Sequence, residues 1–203
     1  MRRSWLVCAA LLGGVGITAC TASSDVDGEP GKVIYDAGPS SDASGDGATA
    51  APNDAGSTDS APPPPTAEQR VLQLVNEVRK VGATCGTKQM PPVGELTWND
   101  VLATAARLHS EDMCKRKFFD HTNPDGKSPF DRMTAAGYKY AAAGENIAAG
   151  QTSPEDVMSG WMKSPGHCEN IMNALFTELG VGYAACAGGQ YPSYWTQKFG
   201  KPR

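Results

Sequence analysis

Two strands can be read from residues 179–199, which have the sequence LGVGYAACAGGQYPSYWTQKF. Leu179, Val181 and Tyr183 alternate with small residues, and residues 194–199 alternate in the same way. A period of two is typical of a β-strand, because successive side chains point to opposite faces of a sheet. We therefore predict a short antiparallel sheet that includes both segments.

The sequence before this segment carries helical signals. Thr66 and Gln69 form a capping-box start, after which apolar residues recur at helical spacing over 71–78. Two later Ser-Pro dipeptides each look like an N-cap followed by proline at the first helical position. Four helices followed by a short sheet predict a mixed α/β layer fold. The predicted helices begin near Thr66, Asn99, Ser128 and Ser153.

Charge divides the chain into two parts. Residues 20–66 carry one Lys against eight Asp and Glu, whereas residues 67–203 carry 15 Lys and Arg against 14 Asp and Glu. Neither part has the basic excess of a general nucleic-acid-binding protein, so we expect no nucleic-acid partner. Residues 20–66 are rich in Ser, Asp, Gly, Ala and Pro, which cannot offset the entropy of ordering. We predict a disordered acidic tether over 20–66, alternatively a glycosylated stalk or binding tail, and one folded, monomeric domain over 67–203.

Residues 1–19 are typical of an export signal. Arg2 and Arg3 precede an apolar run over 6–17 that is too short to span a bilayer. The run ends in ITAC, which resembles a bacterial lipobox and predicts that Cys20 becomes a lipidated N-terminus. An ordinary signal peptide cut before an unmodified Cys20 is the alternative. We expect an exported protein anchored to a membrane through Cys20, at the outer membrane or cell surface, because Thr21 is not the aspartate associated with inner-membrane retention.

Four cysteines remain in the folded part. An even number in an exported domain favours two disulfides, with three possible connectivities. No spacing resembles a paired CxxC zinc site. A catalytic thiol at Cys168, beside His167, is disfavoured because a nucleophile and its base meet across a fold rather than in sequence. These cysteines are Cys85, Cys114, Cys168 and Cys186.

The three histidines and one glutamate are the candidate functional residues. His109 lies on the apolar stripe of the second helix, so we expect a packed core histidine. His121 lies in a turn-rich segment, where a loop can aim it into a cleft. Glu145 follows a glycine among small apolar residues, and His167 follows a Ser-Pro-Gly break after a helix.

A series of short motifs runs in order through about 67–200. They are residues 76 and 79, 96–99 (LTWN), 109–113 (HSEDM), 119–122 (FDHT), 144–147 (GENI), 161, 164–167 (SPGH), 170–173 (NIMN), 176–182 (FTELGVG) and 194–197 (YWTQ). Together they resemble the bacterial form of the CAP superfamily, which comprises cysteine-rich secretory proteins, antigen 5 and pathogenesis-related 1 proteins. The resemblance implies an α–β–α sandwich, with a central, mainly antiparallel sheet flanked by about four helices, and a surface cleft.

In this family, two histidines and two glutamates line the cleft and can hold a divalent cation. His121 and Glu145 match the first histidine and the Gly-Glu-Asn glutamate. Ser164 stands at the second glutamate position, and the second histidine motif reads LFTE over 175–178, so substitutes are needed. The resemblance predicts a zinc-type set of His121, His167 and Glu145. The full predicted cleft set is His121, Glu145, Asn146, His167 and Glu178.

The resemblance also suggests a disulfide pairing. Many bacterial relatives look to have cysteines only at the positions of Cys85 and Cys168. We therefore predict the pairs Cys85–Cys168 and Cys114–Cys186.

For function, the family implies a non-enzymatic cleft-binding module for a small apolar, lipid or peptidic ligand, with a divalent metal such as zinc as an optional aid to binding. A second hypothesis is a hydrolase in which a glutamate beside a histidine activates water. The sequence has no Gly-x-Ser-x-Gly elbow to support it. A third hypothesis is an envelope interaction protein. In a purely structural interpretation, the His121–Glu145 pair only pins a loop to the sheet.

Overall fold

The computed structural model describes residues 65–203, so the export signal, Cys20 and nearly all of the predicted tether lie outside the described residues. Within 65–203, no helix combines the length and apolar character needed to cross a membrane. These residues form five helices and six strands. They are α1 (Ala67–Val81), β1 (Ala83–Cys85), β2 (Lys88–Met90), β3 (Thr97–Trp98), α2 (Asp100–Arg116), α3 (Pro129–Ala135), β4 (Tyr140–Ala149), α4 (Pro154–Lys163), α5 (Pro165–Ile171), β5 (Glu178–Ala185) and β6 (Ser193–Pro202).

A four-stranded sheet with the order β3-β5-β6-β4 forms the middle layer. The β3–β5 pair is parallel and the other two pairs are antiparallel, so the sheet is mainly antiparallel as predicted. Helices α1, α4 and α5 pack on one face through Val71, Val157 and Ile171, together with Leu179 and Trp195 of the sheet. We refer to this as the α1 face.

Helix α2 packs on the opposite face, the α2 face, and lies very close to the sheet. A Cβ atom added at Gly180 would overlap the backbone of Ala103, and one added at Gly182 would overlap the backbone of Arg107. The two glycines therefore permit a contact that no other residue allows. The α–β–α sandwich predicted from the resemblance is confirmed.

Each helix start predicted from the sequence is confirmed. Thr66 and Ser128 form complete capping boxes, Asn99 caps α2 with its side-chain oxygen, and Ser153 caps α4. These caps satisfy amide groups that have no partner inside the helix.

The predicted order of four helices followed by a sheet is wrong. Strand β4 lies between α3 and α4, and α5 follows α4 directly. Residues 140–149 read YAAAGENIAA, and a strand buried on both faces lacks the alternation that marks a half-exposed one. Helix α5 begins with Ser164 and Pro165, and it contains His167, which the sequence analysis placed at a break.

Both predicted disulfides are present. Cys85–Cys168 joins the β1–β2 hairpin to α5, and Cys114–Cys186 joins α2 to the segment after β5. They tie the outer elements to each other on both sides of the sheet.

Candidate functional site

Glu145, in the middle of β4, is the centre of a buried polar cluster on the α2 face. Its side chain is fully buried. His121 Nδ1 donates to Oε1 at 2.8 Å, and Lys198 Nζ donates to Oε2 at 2.5 Å. Arg132 Nη2 lies 3.1 Å from Oε1 and 3.0 Å from Oε2. We call these four residues, together with His109, the Glu145 cluster.

The sheet and the helices bring the cluster together from distant parts of the chain. The β4–β6 register places Glu145 directly opposite Lys198. The short helix α3, started by its capping box at Ser128, presents Arg132 to the carboxylate. Arg132 also donates to the backbone oxygen of His121 at 2.8 Å and of Lys127 at 2.7 Å, so it holds the loop before α3.

His109 borders the cluster from α2. It is fully buried, as expected for a core histidine, and its Nε2 donates to the backbone oxygen of Asp120 at 3.1 Å. The same nitrogen lies 3.9 Å from Glu145 Oε1. The loop that carries His121 is therefore held at two points. His109 bonds to the backbone of Asp120, and Glu145 bonds to the side chain of His121.

The charges of the cluster follow from burial and proximity. Burial opposes ionisation of Glu145, but Lys198, the hydrogen bond from His121 and nearby cations outweigh it and hold its pKa well below the usual range. Burial lowers the pKa of Lys198 to about 8, against the attraction of Glu145. Burial also lowers the pKa of His109 to about 4. At neutral pH one carboxylate therefore faces two cations, Lys198 and Arg132.

Asn146 and His167 lie on the other side of the sheet. Asn146 follows Glu145 in β4, so its side chain points to the α1 face. There its Nδ2 donates to Gln197 Oε1 at 3.0 Å and to the backbone oxygen of His167 at 3.1 Å. Asn170 in turn donates to Asn146 Oδ1 at 2.9 Å. The structure thus joins His121 to Glu145, and groups Asn146 with the backbone of α5.

Glu178 lies at the start of β5, away from the Glu145 cluster. It pairs with Gly200, two residues along β6 from Lys198. Its Oε2 accepts hydrogen bonds from Tyr138 at 2.6 Å and from Asn99 at 3.2 Å. Burial and the hydrogen bond to Glu178 raise the pKa of Tyr138. These contacts make Glu178 a link between the N-cap of α2 and the sheet.

Residues 72–199 match the family model described as CAP, the cysteine-rich secretory protein family. The chain belongs to this family. Among curated relatives, the uncharacterized protein YkwD of Bacillus subtilis is 41% identical over 132 residues, covering 65% of this chain and 46% of YkwD. The uncharacterized membrane protein YlbC of the same species is 32% identical over 135 residues, covering 66% of this chain and 34% of YlbC. The chain therefore spans less than half the length of these relatives.

Two solved structures have the same CAP architecture. One is an extracellular protein containing an SCP domain from Bacillus anthracis, with a TM-score of 0.55, 30% identity, and coverage of 66% of this chain and 40% of that chain. The other is an outer surface protein of Borrelia burgdorferi, with a TM-score of 0.56, 19% identity, and coverage of 66% of this chain and 92% of that chain.

The CAP resemblance implies a divalent cation at Glu145, and the residues present do not fit one. Both carboxylate oxygens already have cationic partners in Lys198 and Arg132. In the part of the chain that the structure describes, no three His, Cys, Asp or Glu side chains are grouped so that they could hold a metal ion. A divalent cation would add positive charge to a buried site that already carries an excess of it.

Arg132 and Lys198 are not among the candidate residues predicted from the sequence. Lys198 lies between Gln197 and Phe199 in a strand whose two faces are both covered by helices, so its ammonium needs a buried partner. Once a sandwich is predicted, a lysine in the middle of a central strand indicates a buried ion pair, so Lys198 could have been found from the sequence. For Arg132 no local signal exists, because its partner is reached only when α3 packs on β4.

A surface groove lies beside the β1–β2 hairpin, and none of its lining residues belongs to the Glu145 cluster. It is an open groove with a volume of about 460 Å³. Val81, at the end of α1, is 73% exposed there. The lining residues are Val81, Gly82, Ala83, Thr84, Gln89, Met90, Pro91 and Pro92.

Proposed function

We propose that this CAP protein is an exported, lipid-anchored binding module of the cell envelope, which holds a small apolar, lipid or peptidic ligand without turning it over. The observation that carries the proposal is the state of Glu145. Its carboxylate is fully buried, and every hydrogen bond described for it joins it to another side chain of the cluster.

A hydrolase built on Glu145 and His121 needs a base that reaches water and takes up a proton near neutral pH. Glu145 has no exposed surface, and its pKa lies well below the usual range because of Lys198 and His121. Its position favours a structural role, in which it holds the loop before α3 against the sheet. The domain is then a rigid scaffold, as binding modules require.

The proposed location is supported by the N-terminal sequence and by the similar proteins. Residues 1–20 are typical of a signal with a lipobox, and the acidic segment after Cys20 is long enough to act as a tether. The similar structures belong to an extracellular protein and to an outer surface protein. A lipid on Cys20 would keep the module at a membrane.

The proposed ligand class is supported by the exposed apolar surface. The groove beside the hairpin combines the side chains of Val81, Met90, Pro91 and Pro92 with the polar Thr84 and Gln89. Small-ligand sites are typically apolar with a few polar groups that orient the ligand.

The test is native mass spectrometry of the exported chain, produced with Cys20→Ser so that no lipid is attached. The protein is incubated with lipid extract and, separately, with peptides from the envelope, with and without EDTA. We expect a retained mass that survives EDTA and is lost in Met90→Glu, which places a charge in the groove. Loss in His121→Ala instead would place the ligand at the Glu145 cluster.

Lys201→Met serves as the matched control, since Lys201 is exposed on β6 and does not line the groove. Release of cleaved products from the same mixtures would contradict the proposal and support a hydrolase. An empty domain under all conditions would contradict ligand binding and favour an envelope interaction role.

A further inference from the structure

We infer that the ammonium group of Lys198 takes the place at Glu145 that the CAP resemblance gives to a divalent cation, so that this protein keeps its centre assembled without metal. The inference does not depend on the proposed binding function. It rests on the geometry of one buried ion pair and on the charges around it.

The position of Lys198 is that of a resident cation. Its Nζ lies 2.5 Å from Glu145 Oε2 and 3.4 Å from the backbone oxygen of Pro129. The side chains of Lys198 and Glu145 are both fully buried. An ammonium group in this position contacts oxygen atoms, as a hard metal ion does. Because Lys198 is a residue of β6, its ammonium group occupies the site whenever the domain folds.

Arg132 reinforces the exclusion of a metal. Arg132 presents a second cation to both oxygens of Glu145. To bind at Glu145, a divalent cation would have to displace the ammonium group of Lys198. That ammonium group would then be buried without a counter-charge, which is energetically costly.

The experiment is calorimetric titration of the exported chain, carrying Cys20→Ser, with zinc chloride and with cobalt chloride. We expect no saturable binding to the wild-type centre. Lys198→Met removes the ammonium group at similar volume, and we expect it to bind zinc at least about tenfold more tightly than wild type, since 1.4 kcal/mol of removed repulsion gives that factor. The gain should disappear when His121→Ala is added.

Two further variants keep the outcome decisive. Lys198→Gln retains a hydrogen-bond donor without charge, so it separates the effect of charge from that of packing if Lys198→Met does not fold. Lys201→Met, an exposed lysine on the same strand, should leave zinc binding unchanged. Saturable zinc binding by wild type that is lost in His121→Ala would overturn the inference. So would a folded Lys198 variant with no gain in zinc affinity.

Discussion

Glu145 and Lys198 face each other across β4 and β6, fully buried, with Nζ 2.5 Å from Oε2. Arg132, which is partly buried, completes the pairing from α3, so a single carboxylate compensates two cations. The stability of the domain therefore depends on this one carboxylate more than on either of its partners.

Replacing Glu145 with Gln should destabilise the domain by about 3–5 kcal/mol, because it leaves the fully buried Lys198 and the partly buried Arg132 without a counter-charge. The measurement is the free energy of unfolding in urea at pH 7. Glu145→Gln combined with Lys198→Met should recover part of the loss, since one unpaired cation is then gone. Glu95→Gln, at an exposed glutamate, is the control. An equal loss in the double and single variants would contradict the pairing.

Acid should destabilise the domain between pH 6.5 and 4 through His109. The unfolded histidine takes up a proton near pH 6.5, whereas burial lowers the folded pKa to about 4. The unfolded state therefore binds more protons in this window, so stability falls as pH falls, by about 3 kcal/mol in total. In the structure of residues 65–203, His109 Nδ1 has no hydrogen-bond partner that could receive the added proton.

Unfolding in urea at several pH values from 7 to 4 measures this effect. In His109→Gln, the free energy of unfolding should change little between pH 6.5 and 4.5. It should still fall below pH 4.5, as in wild type. The loss of stability below pH 4.5 comes from Glu145, whose pKa is lowered in the folded state. The stability that the ionised Glu145 contributes is lost as the pH falls below the pKa of a glutamate in the unfolded chain. An unchanged profile in His109→Gln would show that other groups dominate.

Arg79 should be essential for stability although it has no acidic partner among the described contacts. The side chain is buried and donates to the backbone oxygens of Gly94, Ile171, Asn173 and Phe176 at 2.7–3.3 Å. It therefore ties α1 to the segments before β3 and before β5. Burial lowers its pKa only to about 10, so the guanidinium stays charged at neutral pH.

Arg79→Met should cost about 3 kcal/mol or more, because two buried carbonyls, those of Ile171 and Phe176, lose their donor at about 1–3 kcal/mol each. Chemical denaturation measures the loss. Arg79→Lys should recover only a fraction, since one ammonium cannot reach all four oxygens. Lys80→Met, at the neighbouring exposed lysine, is the control. If it lowered the free energy of unfolding as much as Arg79→Met, the four hydrogen bonds of Arg79 would not explain the loss.

Removing either disulfide should lower stability by about 4 kcal/mol. The cysteines are 83 and 72 residues apart, so each bridge restricts a long loop of the unfolded chain. Thermal unfolding of Cys114→Ser with Cys186→Ser, and of the corresponding Cys85 and Cys168 pair, measures the effect. Dithiothreitol should leave a variant lacking both bridges unchanged while destabilising wild type.

Local patterns in the chain were enough to predict the helix starts at Thr66, Asn99, Ser128 and Ser153 and the alternation of β5 and β6. Capping and alternation involve residues a few positions apart, so they can be read without knowing the fold. The motif series added the sandwich, the disulfide pairs and the contact between His121 and Glu145. Strand β4 was not predicted, because a strand buried on both faces does not alternate between polar and apolar residues.

The cluster around Glu145 depends on the assembled layers. Lys198 is 53 residues from Glu145 and Arg132 is 13 residues from it, and neither distance is a local pattern. Strand register brings in Lys198, and the packing of α3 brings in Arg132. The same sheet carries Asn146 to the face opposite Glu145, because neighbouring residues in a strand point in opposite directions. Residue types that suggested a metal site in the chain thus become, in the folded layers, a carboxylate held by the protein's own cations.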